Sequence, residues 1–275
     1  MEIEVLDMEE RKARFILRDS SPAMANALRR TLLNDIPKMA IDKVEFHLGP
    51  IMEDDKDYES ATPLFDEIIA HRLGMVPIPT LDTFVFQDEC SCGGEGCPGC
   101  KFMYSLNKHG PAVVYSGDLM PLGDPNMKVC DEFIPIVELT DDQAVMIFAT
   151  AVMGTASKHV KWQVCNGVGY SYIPTIVLEE GDHAFLERLV ADVPEKYYRL
   201  DGNRLSLLDS AHARDVLAHA DQTTDDVRYS VEYDDRNFSF SFETDGSISA
   251  EAALAKAEKI LASEFLDLKA QIEAL

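Results

Sequence analysis

The chain has 275 residues, 46% of them hydrophobic, which is enough apolar material for one large domain or two to three small ones. Its formal net charge of −24 repels a phosphate backbone and argues against direct nucleic-acid binding, although a salt-rich cytoplasm would also favour such acidity. No apolar run approaches the roughly 18 residues of a membrane helix, and Met1 to Val5 lacks the basic start and apolar stretch of a signal peptide, so a cytoplasmic protein with no membrane contact is expected.

In chain order, Ile3 and Val5 alternate with acids, Asp7 to Lys12 supplies a turn, and Ala13, Phe15 and Leu17 alternate with Arg14, Ile16 and Arg18. This predicts two strands. A helix follows, capped by Ser21 with Pro22 at its first position. Met24, Ala27, Leu28, Thr31 and Leu32 share one face, Arg29 and Arg30 sit beside it, and Pro37 ends it. Residues 40–48 read as extended, and Glu53 to Glu59 as an acidic loop whose Asp54-Asp55-Lys56-Asp57 run is solvated rather than a Mg2+ site. A second helix starts at Thr62-Pro63, with Asp66 and Glu67 in its first turn, His71 and Arg72 in its last, and Gly74 closing it.

Phe84 to Phe86 and Phe102 to Tyr104 look like paired strands flanking a cysteine-rich loop, and Phe133 to Leu139 and Ala144 to Val152 like further strands. Residues 166–225 are the least legible, with a hairpin turn at Asp201-Gly202-Asn203 and a short helix over His212 to Ala220. Val227 to Tyr233 and Phe238 to Phe242 read as two strands with one greasy face each. Ser249 can cap a last helix with a seam of Leu254, Leu261, Phe265, Leu268, Ile272 and Leu275. Its leucines at 254, 261, 268 and 275 recur every seven residues, which favours a helix packed lengthwise on a partner; packing on the chain's own sheet is the alternative.

Four of the six cysteines, Cys90, Cys92, Cys97 and Cys100, follow a C-x-C-x4-C-x2-C spacing rich in glycine. Four thiolates on a short loop suit a structural, tetrahedral Zn2+ and leave no open position for catalysis. An iron–sulfur cluster, a redox pair at Cys97 and Cys100, or a loop without metal are the alternatives. Cys130 and Cys165 stand alone, as small buried hydrophobes do. No phosphate-binding loop, dinucleotide fingerprint, nucleophile elbow or zinc-protease histidine pair is present. His71 and His159, each beside a basic residue, read equally as helix-end or surface histidines.

Four ordered segments carry a resemblance. They are Asn26-Ala27-Leu28-Arg29-Arg30-Thr31-Leu32-Leu33 with Ile36-Pro37; Phe65-Asp66-Glu67-Ile68-Ile69-Ala70-His71-Arg72-Leu73-Gly74-Met75-Val76-Pro77-Ile78; Gly154 to Gln163; and Phe238 to Ser247. Together they resemble the alpha/D family of DNA-directed RNA polymerase assembly subunits, in its archaeal and eukaryotic branch. The resemblance implies an α+β fold. A split dimerisation domain, an antiparallel sheet with two helices, is built from residues 1–40 and 226–275. A middle domain is inserted at 41–165, carrying the cysteine loop 90–100, with a ferredoxin-like domain or its remnant at 166–225.

It further implies a non-catalytic subunit that pairs with a small L-type subunit and docks on the second-largest subunit, with a small N-type subunit alongside. Asn26, Leu28, Arg29, Arg30, Leu32, His71, Arg72, Leu254, Leu261, Phe265, Leu268 and Ile272 are the expected partner contacts. Local capping or pairing is the alternative role of the arginines. The eukaryotic counterpart carries a similar zinc loop. Many archaeal relatives hold an iron–sulfur cluster in the third domain; here no cysteine follows Cys165, so a domain without a cluster is expected.

Overall fold

A computed structural model describes residues 2–53, 56–180, 183–222 and 227–274. Asp54, Asp55 and Leu275 of the sequence reading, and the expected boundary at 225 and 226, lie outside them. The fold is α+β with antiparallel sheets, and its contacts divide it into two units.

The first unit combines Met1–Leu33, Cys165–Thr244 and Ala250–Leu275. Its strands are β1 (Glu2–Met8), β2 (Lys12–Arg18), β11 (Cys165–Glu180), β12 (Tyr198–Asp201), β13 (Arg204–Leu207) and β14 (Arg228–Thr244), in the sheet order β1-β2-β14-β11-β13-β12. Helix α1 (Pro22–Asn34) begins as read from sequence, with the Ser21 hydroxyl accepting from the Met24 N–H at 3.3 Å. Helix α5 (Ala250–Glu273) packs on β14 and β2, burying Ala253, Leu254 and Ala257, and its alanines let helix and sheet approach closely. Beneath it, Phe15 stacks on Phe240 at 5.1 Å and meets Phe242 edge-on at 6.4 Å.

The two strands expected at 227–233 and 238–242 are one strand, β14. The Asp234 to Asn237 stretch between the two expected strands is a bulge. Asp234 Oδ1 accepts from the Arg236 N–H at 2.9 Å, and the ladder with β11 jumps from Ile173–Asp234 to Tyr172–Phe238. The described residues of 166–222 have an apolar core, formed by Ile176 and Leu205 with Phe185 and Leu186 of α3 (Ala184–Leu189) and Val216 of α4 (Ser210–Gln222). Yet β11 and β14 run continuously through both this core and the aromatic one, so the region is an extension of the same sheet.

The second unit comprises Asn34–Val164 and Asp245–Ser249. Strands β3 (Lys38–Phe46), β6 (Lys101–His109), β8 (Met120–Pro121) and β10 (Ala144–Gly154) form a sheet of order β3-β10-β6-β8. Strands β4 (Ile51–Glu53) and β5 (Lys56–Tyr58) pair where an acidic loop was expected, and β7 (Ala112–Tyr115) pairs with β9 (Pro135–Leu139). Helix α2 (Asp66–Gly74) starts three residues beyond Pro63, with Phe65 as its cap, and packs on β3 and β9. Trp162 is 2% exposed and donates its indole N–H to the Val152 carbonyl at 3.1 Å. Lys38, only 3% exposed, is satisfied by Asp245 and by the Lys161 and Gln163 carbonyls at 3.0 and 3.3 Å.

Candidate pairing face and cysteine site

In the first unit, α1 and α5 border an apolar groove of about 200 Å3 with Ile3 and Leu17 at its floor and Met24, Leu28, Leu261 and Phe265 at its walls. Beyond this groove α5 loses its cover. Leu254 is 8% exposed, but Phe265 is 50%, Leu268 51% and Ile272 61% exposed, and every described residue from 262 onward is exposed. The heptad reading therefore meets a helix whose first turns rest on the chain's own sheet and whose seam then continues into the open. Leu266, 66% exposed, lies on another side of α5, because one residue along a helix turns about 100° away from the seam.

The other expected contacts fall in different places. Leu32 is fully buried at 0% exposure, so it supports α1 from within its own core and presents no surface. Leu28, at 6%, reaches only the groove wall. Arg29 donates from Nε and Nη2 to Asn26 Oδ1 at 3.1 and 2.8 Å, a local pair one turn apart, while Arg30 is exposed. In the second unit, His71 and Arg72 are exposed at the end of α2. Arg72 Nη1 donates to the Ile136 carbonyl at 2.6 Å and ties α2 to β9. His71 lines a separate cleft of about 490 Å3 with Asp42, His159 and Lys161.

The cysteine site also lies in the second unit. Phe84 to Phe86 are not a strand; the loop enters through turns and leaves through β6 alone. What joins its ends is one backbone bond, the Val85 N–H to the Gly99 carbonyl at 3.0 Å, and the edge-on contact of Phe84 with Phe102 at 6.3 Å. Gly93, Gly94 and Gly96 have φ values of 68°, 87° and 93°, which a side-chain-bearing residue adopts only with strain. These reversals bring the four sulfurs within 4.8 Å of one another, the one such group of metal-ligating side chains among the described residues. Cys90 and Cys97 Sγ lie 3.5 Å apart, and Cys92 and Cys100 Sγ 3.6 Å apart. Four sulfurs on a tetrahedron about Zn2+, each at about 2.3 Å, stand about 3.8 Å apart, so the set fits such an ion. The backbone N–H of Cys97, then that of Gly96, holds the Cys92 thiol down to about 5, while burial first, then Cys92, pushes the Cys100 thiol up to about 12. The loop thus supplies its own backbone donors to sulfur, and a bound cation would draw the other cysteines into the thiolate form. This cluster can bind a metal ion.

The RNA polymerase Rpb3/Rpb11 dimerisation domain family matches residues 14–265. The chain is 40% identical to the DNA-directed RNA polymerase subunit Rpo3 of Thermoplasma volcanium, covering 94% of each chain. It is 38% identical to the Rpo3 subunit of Picrophilus torridus over 97% of each, and 35% identical to that of Archaeoglobus fulgidus over 100% of this chain and 98% of the relative.

Proposed function

The chain belongs to the RNA polymerase Rpb3/Rpb11 dimerisation family, in its archaeal Rpo3 or D branch, and from that membership we propose that it works as an assembly subunit that nucleates the polymerase by pairing with a smaller, L-type subunit. The observation that carries this reading is the uncovered half of α5. Phe265, Leu268 and Ile272 stand half or more exposed in line with a groove that α1 and α5 already border. Burying each such side chain stabilises by about 1.5–3 kcal/mol, so a partner helix laid along this seam gains a large favourable term. In this reading Arg29 and Arg30 of α1 supply directional polar contacts to the partner.

In this reading residues 1–40 and 226–275 make the dimerisation domain, 41–165 the middle domain, and 166–225 a ferredoxin-like domain or remnant without an iron–sulfur cluster. The second unit docks the second-largest subunit, with a small N-type subunit alongside, through surfaces that include His71 and Arg72. Cys90, Cys92, Cys97 and Cys100 hold a structural Zn2+ that gives the loop the stability its side chains lack. The chain carries no catalytic residue, touches no nucleic acid directly, and acts in the cytoplasm. Among the described residues no helix is long and apolar enough to cross a membrane.

The test is to express the full chain alone and with an L-type subunit and to measure mass in solution. Pairing predicts a one-to-one heterodimer and a poorly soluble lone chain. A stable lone monomer indifferent to the partner, or a self-paired dimer that excludes it, would overturn the reading.

A further inference from the structure

Strands β1 and β12 are opposite edges of the six-stranded sheet, yet their side chains meet. Lys196 Nζ donates to Asp7 Oδ1 at 2.6 Å, and the Tyr197 hydroxyl donates to the other oxygen of the same carboxylate. Arg199 of β12 donates to Glu4 of β1, which Arg18 also holds, through Nε at 2.5 Å. Simple alternation forbids this arrangement, because strand residues three apart face opposite sides of a sheet. A bulge permits it. Val5 pairs with Phe15 but Asp7 with Arg14, which leaves Leu6 as the extra residue and resets the parity of the strand. Glu4 then stands opposite Ile16 and Asp7 opposite Arg14, while Ile3, Val5 and Met8 stand opposite Leu17, Phe15 and Ala13. One face of β1 is thus acidic and gripped by residues 196–199; the other is apolar, and its Ile3 and the facing Leu17 floor the groove.

We propose that Glu4 and Asp7 are positioning residues for the pairing groove: the segment 196–199 grips them and so fixes the edge strand that forms the groove's floor. The proposal rests on the pairing reading above. An edge strand has a ladder on one side only and frays readily, so holding it needs something beyond β2. The grip is itself braced. Tyr197 is 7% exposed, stacks on the His212 ring at 4.7 Å, and lies under the Arg14 guanidinium at 5.6 Å. His212 in turn is held at 2.6 Å by Asp209, the buried residue that starts α4. The region carrying α3, α4, β12 and β13 thereby acquires a task that needs no cofactor: it clamps β1 for the partner.

The test uses the full chain with its L-type partner and a Lys196→Ala, Arg199→Ala double variant, two exposed positions outside the groove. Amide exchange in residues 2–8 is expected to speed up, and the dissociation constant for the partner to rise about threefold to tenfold, the range for two exposed ion pairs. The conservative Lys196→Arg, Arg199→Lys variant should restore both. Unchanged exchange in residues 2–8 would overturn the clamp; faster exchange with unchanged affinity would overturn its role in pairing. Leu268→Asp, on the exposed part of α5 beyond the groove, separates the two readings, since it should abolish pairing without touching exchange in residues 2–8. Pairing that survives Leu268→Asp would remove the pairing reading itself.

Discussion

The cysteine loop and the outer half of α5 are both stretches that the chain's own core leaves uncovered, and they call for different kinds of cover. The loop from Cys90 to Cys100 has no large apolar side chain; it offers four sulfurs within 4.8 Å and backbone N–H groups turned toward them. Helix α5 offers Phe265, Leu268 and Ile272 on one face, each at least half exposed. Clustered sulfur donors are satisfied by one ion, because coordination is short-ranged and directional. An apolar stripe needs area, because its stabilisation scales with surface removed from water. The chemistry of each segment thus states what completes it.

Breaking the loop should have the largest effect. Structural zinc binding is worth on the order of 10 kcal/mol in small zinc-bound modules. Cys100→Ser should lower zinc in protein purified without added metal from one equivalent to less than half, and amide protection in residues 90–100 should vanish. Pairing through α5 should survive. Pairing lost together with the metal would show that the two regions are coupled and sink the contrast. Leu261→Asp attacks the other side. A carboxylate in the groove wall costs about 3 kcal/mol or more when a partner covers it, hence roughly a hundredfold or greater loss of affinity by titration, with zinc content unchanged.

Leu268→Ala sharpens the contrast with a smaller change. Leu268 is 51% exposed in the lone chain, so its truncation should move the melting temperature of that chain very little. Against the partner it should cost about 1–2 kcal/mol, read as an increased dissociation constant. A shift in lone-chain stability as large as the shift in affinity would mean that the seam packs on the chain itself.

These two regions were legible in sequence for the same reason: each advertises its chemistry at fixed spacing, C-x-C-x4-C-x2-C in one and leucines every seven residues in the other. What escaped depends on register. Asp234 to Asn237 has turn composition, and only the pairing of β14 with β11 makes it a bulge within one long strand. Phe84 to Phe86 has strand composition, yet no neighbouring strand is in reach and it stays irregular. The parity reset at Leu6 is invisible in an alternating pattern, so nothing in the sequence placed Glu4 and Asp7 on one face. Likewise Leu32 shares a face with Leu28 by spacing, but its full burial within the lone chain follows from packing alone.

The clamp on β1 should give the smallest effect, and pH separates it from the metal site. Hydrogen bonds from Lys196, then Tyr197, hold the Asp7 carboxyl below its ordinary value of 3.8. The folded chain therefore binds fewer protons here than the unfolded one just below that value. This contribution is whole above pH 3.8 and is lost as pH falls through the lowered value. The same bond to Asp7 raises the Lys196 ammonium above 10.5, so its part is whole below pH 10.5 and is lost as pH climbs past the raised value. Zinc sites also fail in acid, because thiolates must be deprotonated to bind. The informative quantity is thus the difference in melting temperature between the native chain and Asp7→Asn, in which the metal contribution cancels. That difference should be positive and flat from about pH 5 to 9 and should shrink toward zero in stronger acid. A difference that instead grows as pH falls would mean that Asp7 is disfavoured as a carboxylate in the fold, and the clamp would have the wrong sign.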